Sequence, residues 1–285
     1  MKALKYSAII VIYNKAIDDS ITCRCIKKID GLDVEIIVVD NSETDMGNKK
    51  VCDDKGYKYI SMHGNKGLSK AYNAAIDNTD SDIIIILDDD TELTEDYFEK
   101  LNSAAQNNEN VDVFAPVVYG QDGVIYSPNE FNFLRNHFIK SKDQEVSQES
   151  FNAIASCLAI RRKVFDNYRF DETLFVDQVD QYFFCQQRKL GRSFMKLDTI
   201  INQSFYQRGA TLSAESGWRR VRLRLIDVMR HAKLMGGLKY KILGYIKCCG
   251  LSLQIAKKTK SVEVLMKGLC LSTKLLFILP KNNNE

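Results

Sequence analysis

Apolar residues along this chain fall in short unbroken runs: YSAIIVIY (6–13), VEIIVVD (34–40), YKYIS (57–61), DIIIILD (82–88) and VDVFAPVVY (111–119). Helical spacing lies between and after them, near 16–29, 67–78 and 94–107. A run that is apolar at every position, rather than at every second one, predicts a strand covered on both faces. The expected architecture is therefore α/β, with a mixed, mostly parallel sheet flanked by crossover helices. Residues 120–150 are polar, carry the turn signal GQDG and show no clear period, which predicts a long excursion from the sheet. Order returns with FNAIASCLAIRR from 151, followed by the acid-rich turn FDETLFVDQVDQ, a helix to about 189 and two short strands around 193–203. Beyond 216 the pattern predicts three amphipathic helices, broken near 236–237 and 258–261.

Composition changes this picture little. With 285 residues, 45% of them hydrophobic, the chain can bury one large core and carry an appendage. The eight cysteines lack paired spacings apart from Cys23-x-Cys25 and the adjacent Cys248 and Cys249, and no signal peptide precedes the first strand, so a reducing, cytoplasmic setting is expected. Charge is more telling. Residues 218–260 hold 12 Lys or Arg and a single acid, Asp227, whereas the rest of the chain carries more acids than bases. Such a basic tail points to an anionic partner, a lipid surface or nucleic acid.

The stretch SDIIIILDDDTEL (81–93) carries the strongest chemical signal, because it ends a buried strand in three aspartates. Ligands of open parallel sheets bind at the carboxyl ends of strands. Strand alternation turns Asp88 and Asp90 to one side and Asp89 to the other, so two carboxylates form half of a hard-cation site suited to Mg2+ or Mn2+. At the same predicted edge lie IYN (12–14), VVDNSE (38–43) and GNKGLSKAYNAAI (64–76), the last a loop entering a helix whose amino end can face an anion. Asp40 can accept from the imide N–H of uracil or thymine, or simply cap a turn. His63, His137 and His231 have no acid or cysteine at metal-ligand spacing.

Taken in order, IIVIYN, VEIIVVDNSE, GNKGLSKAYNAAI, IIIILDDDTEL and FDETLFVDQVDQYFFCQQRKLG resemble the family 2 glycosyltransferases of the GT-A fold, and within them the bacterial rhamnosyltransferase-like members. The resemblance covers roughly residues 6–205. It implies a donor site built from Tyr13, Asn14, Asp40, Asn41, Asn65, Gly67, Leu68, Asn73, Asp88 and Asp89, with Asp40 on the base, Asp88 on ribose or metal, and Asp90 as the metal ligand. A nucleotide-diphosphate sugar is the implied donor, dTDP-rhamnose first and UDP-sugars next, and the implied acceptor is a lipid-linked saccharide of bacterial surface polysaccharide synthesis. Inverting transfer needs a general base for the acceptor hydroxyl. FVDQVDQYFF offers Asp177 and Asp180, whose spacing of three would place them on one helix face, where mutual repulsion can raise one pKa. The usual base of the family matches Asp180, with Asp177 second. The chain departs from that pattern at Gln181, Tyr182 and Gln186, and has Gln203 near the place where many relatives carry histidine, so no histidine ligand is expected. A nucleotidyltransferase would also use strand-end aspartates and a metal, but IYNKAIDD is no phosphate loop; a silent glycan- or membrane-binding module would not need the acids.

The expected organisation is a catalytic domain over 1–215, with a nucleotide-binding half to about 119 and an acceptor half from 120, then a helical region over 216–285. In the latter, Arg219, Arg220, Arg222, Arg224 and Arg230 are interleaved with Val221, Leu223, Leu225, Ile226 and Met229. Residues 222, 225, 226 and 229 share a stripe that can lie on anionic lipid with arginines at its margin. The more apolar VLMKGLCLSTKLLFIL (264–279) suits self-association as a homodimer. The expectation is a protein peripheral to the inner face of the cell membrane, with no nucleic-acid partner.

Overall fold

The apolar runs form a single mixed sheet in the computed structural model, which describes residues 4–26, 34–203 and 212–280. Four parallel strands build one half: β1 (Tyr6–Ile12), β2 (Val34–Asp40), β3 (Lys58–Ser61) and β4 (Ile83–Leu87), in the order β3-β2-β1-β4. Chain direction then alternates. β11 (Leu158–Arg161) runs antiparallel between β4 and β6 (Val113–Gly120), β12 (Phe194–Gln203) lies parallel to β6, and the two-residue β5 (Thr91–Glu92) pairs antiparallel with the end of β12. The expected pair of strands near 193–203 is thus one strand, whose register breaks between Lys196 and Ile200.

The central strands explain their own composition. In β4, Ile84 and Ile86 enter one core with Ala71, Tyr72 and Ala75 of α3 (Leu68–Ile76) and with Phe183 and Phe184 of α5 (Val179–Lys189). Ile83, Ile85 and Leu87 enter the opposite core with Tyr97 and Leu101 of α4 (Glu95–Asn107) and with Cys23 and Ile26 of α1 (Ile21–Ile26). All five are fully buried, each contributing roughly 1.5–3 kcal/mol, so a polar residue has no place in the run. α4 starts where Thr94 Oγ1 accepts the Tyr97 N–H at 3.3 Å.

Three segments depart from expectation. The helix near 16–29 is a 3-10 turn, Ile17–Asp19, followed by the six-residue α1; residues 27–29 lie outside the described residues. The helix α2 (Asn48–Lys55) was not anticipated, because only Asn48 and Cys52 are buried and its apolar stripe is too thin to show a period. The excursion over 120–150 holds β7 (Ile125–Ser127), which pairs with β6, and β8 (Asn129–Asn132) and β9 (Arg135–Phe138), which form a separate three-stranded sheet with β10 (Phe151–Asn152). Beyond the main sheet, α6 (Ala214–Met235), α7 (Gly237–Thr259) and α8 (Val262–Phe277) pack round Val221, Leu225, Ile226, Cys248 and Leu275.

Candidate active site

Three adjacent parallel strands bring the sequence motifs to one edge. Ile12 lies opposite Asp40 and Ile10 opposite Leu87, so Tyr13, Asn14, Asp40, Asn41 and the acids 88–90 emerge together at the carboxyl ends of β1, β2 and β4. Side-chain amides then tie the loops. Asn14, at φ 47°, donates its N–H to Ser42 Oγ at 2.8 Å and accepts the Glu43 N–H on Oδ1 at 2.9 Å. Asn41 Nδ2 donates to Asn65 Oδ1 at 3.1 Å while its Oδ1 takes the Lys66 N–H at 2.8 Å. The Asp40 carboxylate accepts from Ser42 N–H, Asn48 Nδ2 and Tyr59 Oη. Tyr13 stays 46% exposed above this edge. Gly67, at φ 89°, has Phe175 so close that an added Cβ would sit 2.6 Å from its ring and 2.7 Å from its carbonyl oxygen; Leu68 N–H donates to that oxygen at 2.6 Å.

Asn73 is buried under the sheet edge, with Nδ2 donating to Phe170 O and Glu172 Oε1 and Oδ1 accepting the Phe170 N–H. Its amide pins the 170–172 turn to α3.

The acid turn behaves as alternation predicts. Gln203 Nε2, at the end of β12, donates to Asp88 Oδ2 at 3.3 Å and to Asp90 Oδ1 at 2.9 Å, so these two carboxylates converge on one point. Asp88 also accepts from Ser156 Oγ. Asp89 faces away into an ion pair with Lys15 at 2.9 Å. The protein packed around Asp88 raises its pKa, and the same exclusion of water, followed by the Asp88 charge, pushes Asp90 up to about 6. Two crowded carboxylates bridged by one amide NH2 group fit a hard divalent cation, and the Gln203 Oε1 atom is buried without a partner beside them. Among the described residues no group of three or more His, Cys, Asp or Glu side chains could hold a metal. The Gln203 contact joins residues more than a hundred apart through the β12–β5 pairing, which places Gln203 opposite Thr91; only its position near the place where many relatives carry histidine hinted at it.

Asp180 and Asp177 do not share a helix face. Gln178, at φ 65°, breaks the backbone before α5, so Asp180 lies in the first turn and Asp177 outside it. Asp177 meets Arg220 at 3.1 Å and Arg224 at 3.3 Å, both from α6, and is neutralised there. Asp180 has no such cation among the described residues. Enclosure by protein pushes its pKa up to about 7, with the Asp88 charge second and the Ala155 N–H opposing; Asp177 is the smallest cause. The expected mutual repulsion is therefore corrected to burial beside Asp88. Asp88 follows Ile84 and Ile86 on the face that α5 covers, which accounts for the proximity.

A sheet of this order with acids at its carboxyl edge defines the GT-A class, and solved structures with the same fold bear this out. TarS of S. aureus matches 96% of this chain and 89% of its own at TM-score 0.53 and 15% identity. The mannosyltransferase PcManGT of Pyrobaculum calidifontis, solved with GDP-Man and Mn2+, matches 96% and 76% at TM-score 0.57 and 14% identity. The glycosyl transferase family 2 model matches residues 7–169, and the chain belongs to that family. Among curated relatives, the dTDP-rhamnosyl transferase RfbF of Shigella flexneri is 29% identical over 152 residues, 51% of either chain. An N-acetylglucosaminyltransferase of Azorhizobium caulinodans is 27% identical over 135 residues, 44% of this chain and 32% of its own. The matched part thus spans about half of the first relative and a third of the second.

Proposed function

We propose that the protein is a metal-dependent, inverting glycosyltransferase that moves a sugar from a nucleotide-diphosphate donor to a hydroxyl of a lipid-linked saccharide. The observation that carries this reading is the Asp180 carboxyl, poised at about 7 beside the converging Asp88 and Asp90. A base with a pKa near neutrality can take the acceptor proton while remaining ionised in part. In the transfer, Asp180 takes the proton of the acceptor hydroxyl and that oxygen bonds to the anomeric carbon. The bond from that carbon to the diphosphate oxygen breaks, and the nucleoside diphosphate leaves with the electron pair. Asp88 and Asp90 would hold Mg2+ or Mn2+, which offsets charge on the departing diphosphate. The amide-tied edge formed by Asn14, Asp40, Asn41 and Asn65 supplies polar groups for base and ribose, with Gly67 and Leu68 beside it. Rhamnose is the favoured sugar, supported by the Shigella flexneri relative, ahead of a UDP-hexose.

The test is saturation-transfer NMR against dTDP-rhamnose, UDP-glucose, UDP-N-acetylglucosamine and GDP-mannose, with and without Mn2+, followed by donor hydrolysis assays. Metal-dependent binding and hydrolysis of dTDP-rhamnose is the expected result. Preference for a UDP-sugar would transfer the assignment to that donor, and indifference to all four would refute the enzyme reading.

The helical region is the part proposed to reach the membrane, but not through the stripe first expected. Leu225, Ile226 and Met229 are buried inside the α6–α8 layer, and Arg220, Arg224 and Arg230 turn inward to Asp177 and Asp227. The apolar groups left outside are Leu238, Ile242, Ile246 and Leu253 on α7 and Val262, Met266 and Phe277 on α8. α7 carries no acid, and its exposed Lys239, Lys241, Lys257 and Lys258 complement anionic headgroups at about 1 kcal/mol each near such a surface. No helix among the described residues is long and apolar enough to cross a membrane. Placement on the inner, cytoplasmic face, where it meets a lipid-linked acceptor, accords with a nucleotide-sugar donor. Cosedimentation with anionic vesicles should be strong at low salt, weak at high salt and lost on Ile242→Gln with Ile246→Gln. Equal binding to neutral vesicles would exclude the charge argument, and a stable dimer without lipid binding would assign the face to a second copy.

A further inference from the structure

The tail's single acid in the basic stretch, Asp227, lies in the middle of α6 with no surface exposed. A fully enclosed carboxylate needs strong partners. Asp227 finds them in another segment: Oδ1 accepts the Phe175 N–H at 3.1 Å, and Oδ2 accepts the Val176 and Asp177 N–H groups at 2.9 Å each. Three consecutive backbone donors thus converge on one anion, in charge-assisted bonds stronger than neutral ones. Arg230 Nη1 stands 3.6 Å from Oδ1.

The held segment, residues 175–178, joins the two halves of the site. At its first end, Phe175 O receives the Leu68 N–H and Phe175 packs against Gly67. At its far end, Asp177 takes Arg220 and Arg224, and Gln178 turns left-handed with Oε1 receiving Lys247 Nζ at 3.0 Å. Two residues later comes Asp180. The Phe175 end therefore has an anchor independent of Asp227, whereas Asp177 and Gln178, at the end leading to Asp180, are held by side chains of α6 and α7 before α5 enters the core through Val179 and Phe183.

We propose that Asp227 is a positioning residue for the transfer reaction: through the N–H groups of residues 175–177 it fixes where α5 begins and so where Asp180 meets the acceptor hydroxyl. The inference rests on the reading of Asp180 as general base. It makes the helical layer part of the active site and not merely a membrane or docking appendage. Displacement of a base by about 1 Å can cost about 10²-fold in rate without touching ligand affinity.

The experiment is a double-mutant cycle in the full chain. Asp227→Asn keeps the shape of the side chain but puts an NH2 against at least one strap N–H. It should lower kcat by about 10–100-fold. Nucleoside-diphosphate affinity should change less than about threefold, since the Leu68 end keeps its own anchor. Combined with Asp180→Asn, it should slow turnover by no more than about twofold beyond Asp180→Asn alone, because the group it positions is already gone. Losses that multiply, or full turnover in Asp227→Asn, would overturn the proposal. Full turnover in Asp180→Asn would instead overturn the base assignment, a distinct outcome. If Asp227→Asn does not fold, Arg220→Gln with Arg224→Gln carries the same cycle from the half-exposed side of the strap, with a severalfold loss expected alone and none beyond Asp180→Asn; multiplying losses or no loss would sink the idea there too.

Discussion

Asp180→Asn should reduce kcat by roughly 10²–10⁴-fold, the range for a lost general base, while donor binding stays near normal. The side chain keeps its size, and asparagine can still accept the Ala155 N–H on its oxygen, so the fold should persist. The pH profile gives the more specific test. A general base works only when ionised, and burial pushes Asp180 up to about 7, so kcat/KM of the native enzyme should fall as pH drops through about 7. At limiting metal, Asp90, which burial pushes up to about 6 in the metal-free protein, should steepen the fall below that pH as protonation competes with the cation. In Asp180→Asn the limb near 7 should vanish and the lower one remain. Asp177→Asn should cost far less, since that carboxylate is paired with Arg220 and Arg224. If Asp177→Asn proves the slower variant, the base has been assigned to the wrong residue.

Much of this site was legible before any coordinates, and the reasons are local. A five-residue run such as Ile83–Leu87 has no polar position to face solvent, so its strand identity and two-sided burial follow from composition alone. The outcome at Asp88 and Asp90 follows from strand alternation, which needs no long-range information. What escaped the sequence depends on partners far along the chain. Asp177 and Asp180 looked like a helical pair because spacing assumes continuous helix, and nothing in FVDQVDQ shows that Gln178 adopts a left-handed backbone. The arginines of α6 looked like a lipid-facing margin because a periodic stripe reveals that a face is apolar, not what covers it. Leu225 and Ile226 are covered by the protein's own helices, and Arg220 and Arg224 by an acid more than forty residues upstream. The small sheet of β8, β9 and β10 was invisible for a similar reason: its strands of two to four residues are too short to display a period. Residues 204–209, which follow Gln203 in INQSFYQRG (201–209), lie outside the described residues.

Asp90→Asn should abolish most transfer by a different route. Asp88 is held by Ser156 and Gln203, and Asp89 is spent on Lys15, so Asp90 is the carboxylate of the turn most free to bind a cation. Its one described side-chain hydrogen bond is the Gln203 amide at 2.9 Å. Replacing it leaves a single hard anionic ligand at the point where Asp88 and Asp90 converge. Two carboxylates are already a sparse donor set for Mg2+ or Mn2+, which otherwise depend on substrate phosphates and water. Loss of charge stabilisation at the leaving diphosphate is worth several kcal/mol, or at least ~10²-fold in rate. The fold should tolerate the change, because the enclosed Asp90 carboxylate is destabilised in its charged form and a neutral amide removes that cost. The variant should therefore melt no lower than the native protein, lose Mn2+ affinity as read by electron paramagnetic resonance, and recover part of its activity as metal is raised. Near-native turnover at limiting metal, in protein shown to be folded, would remove Asp90 from the metal site.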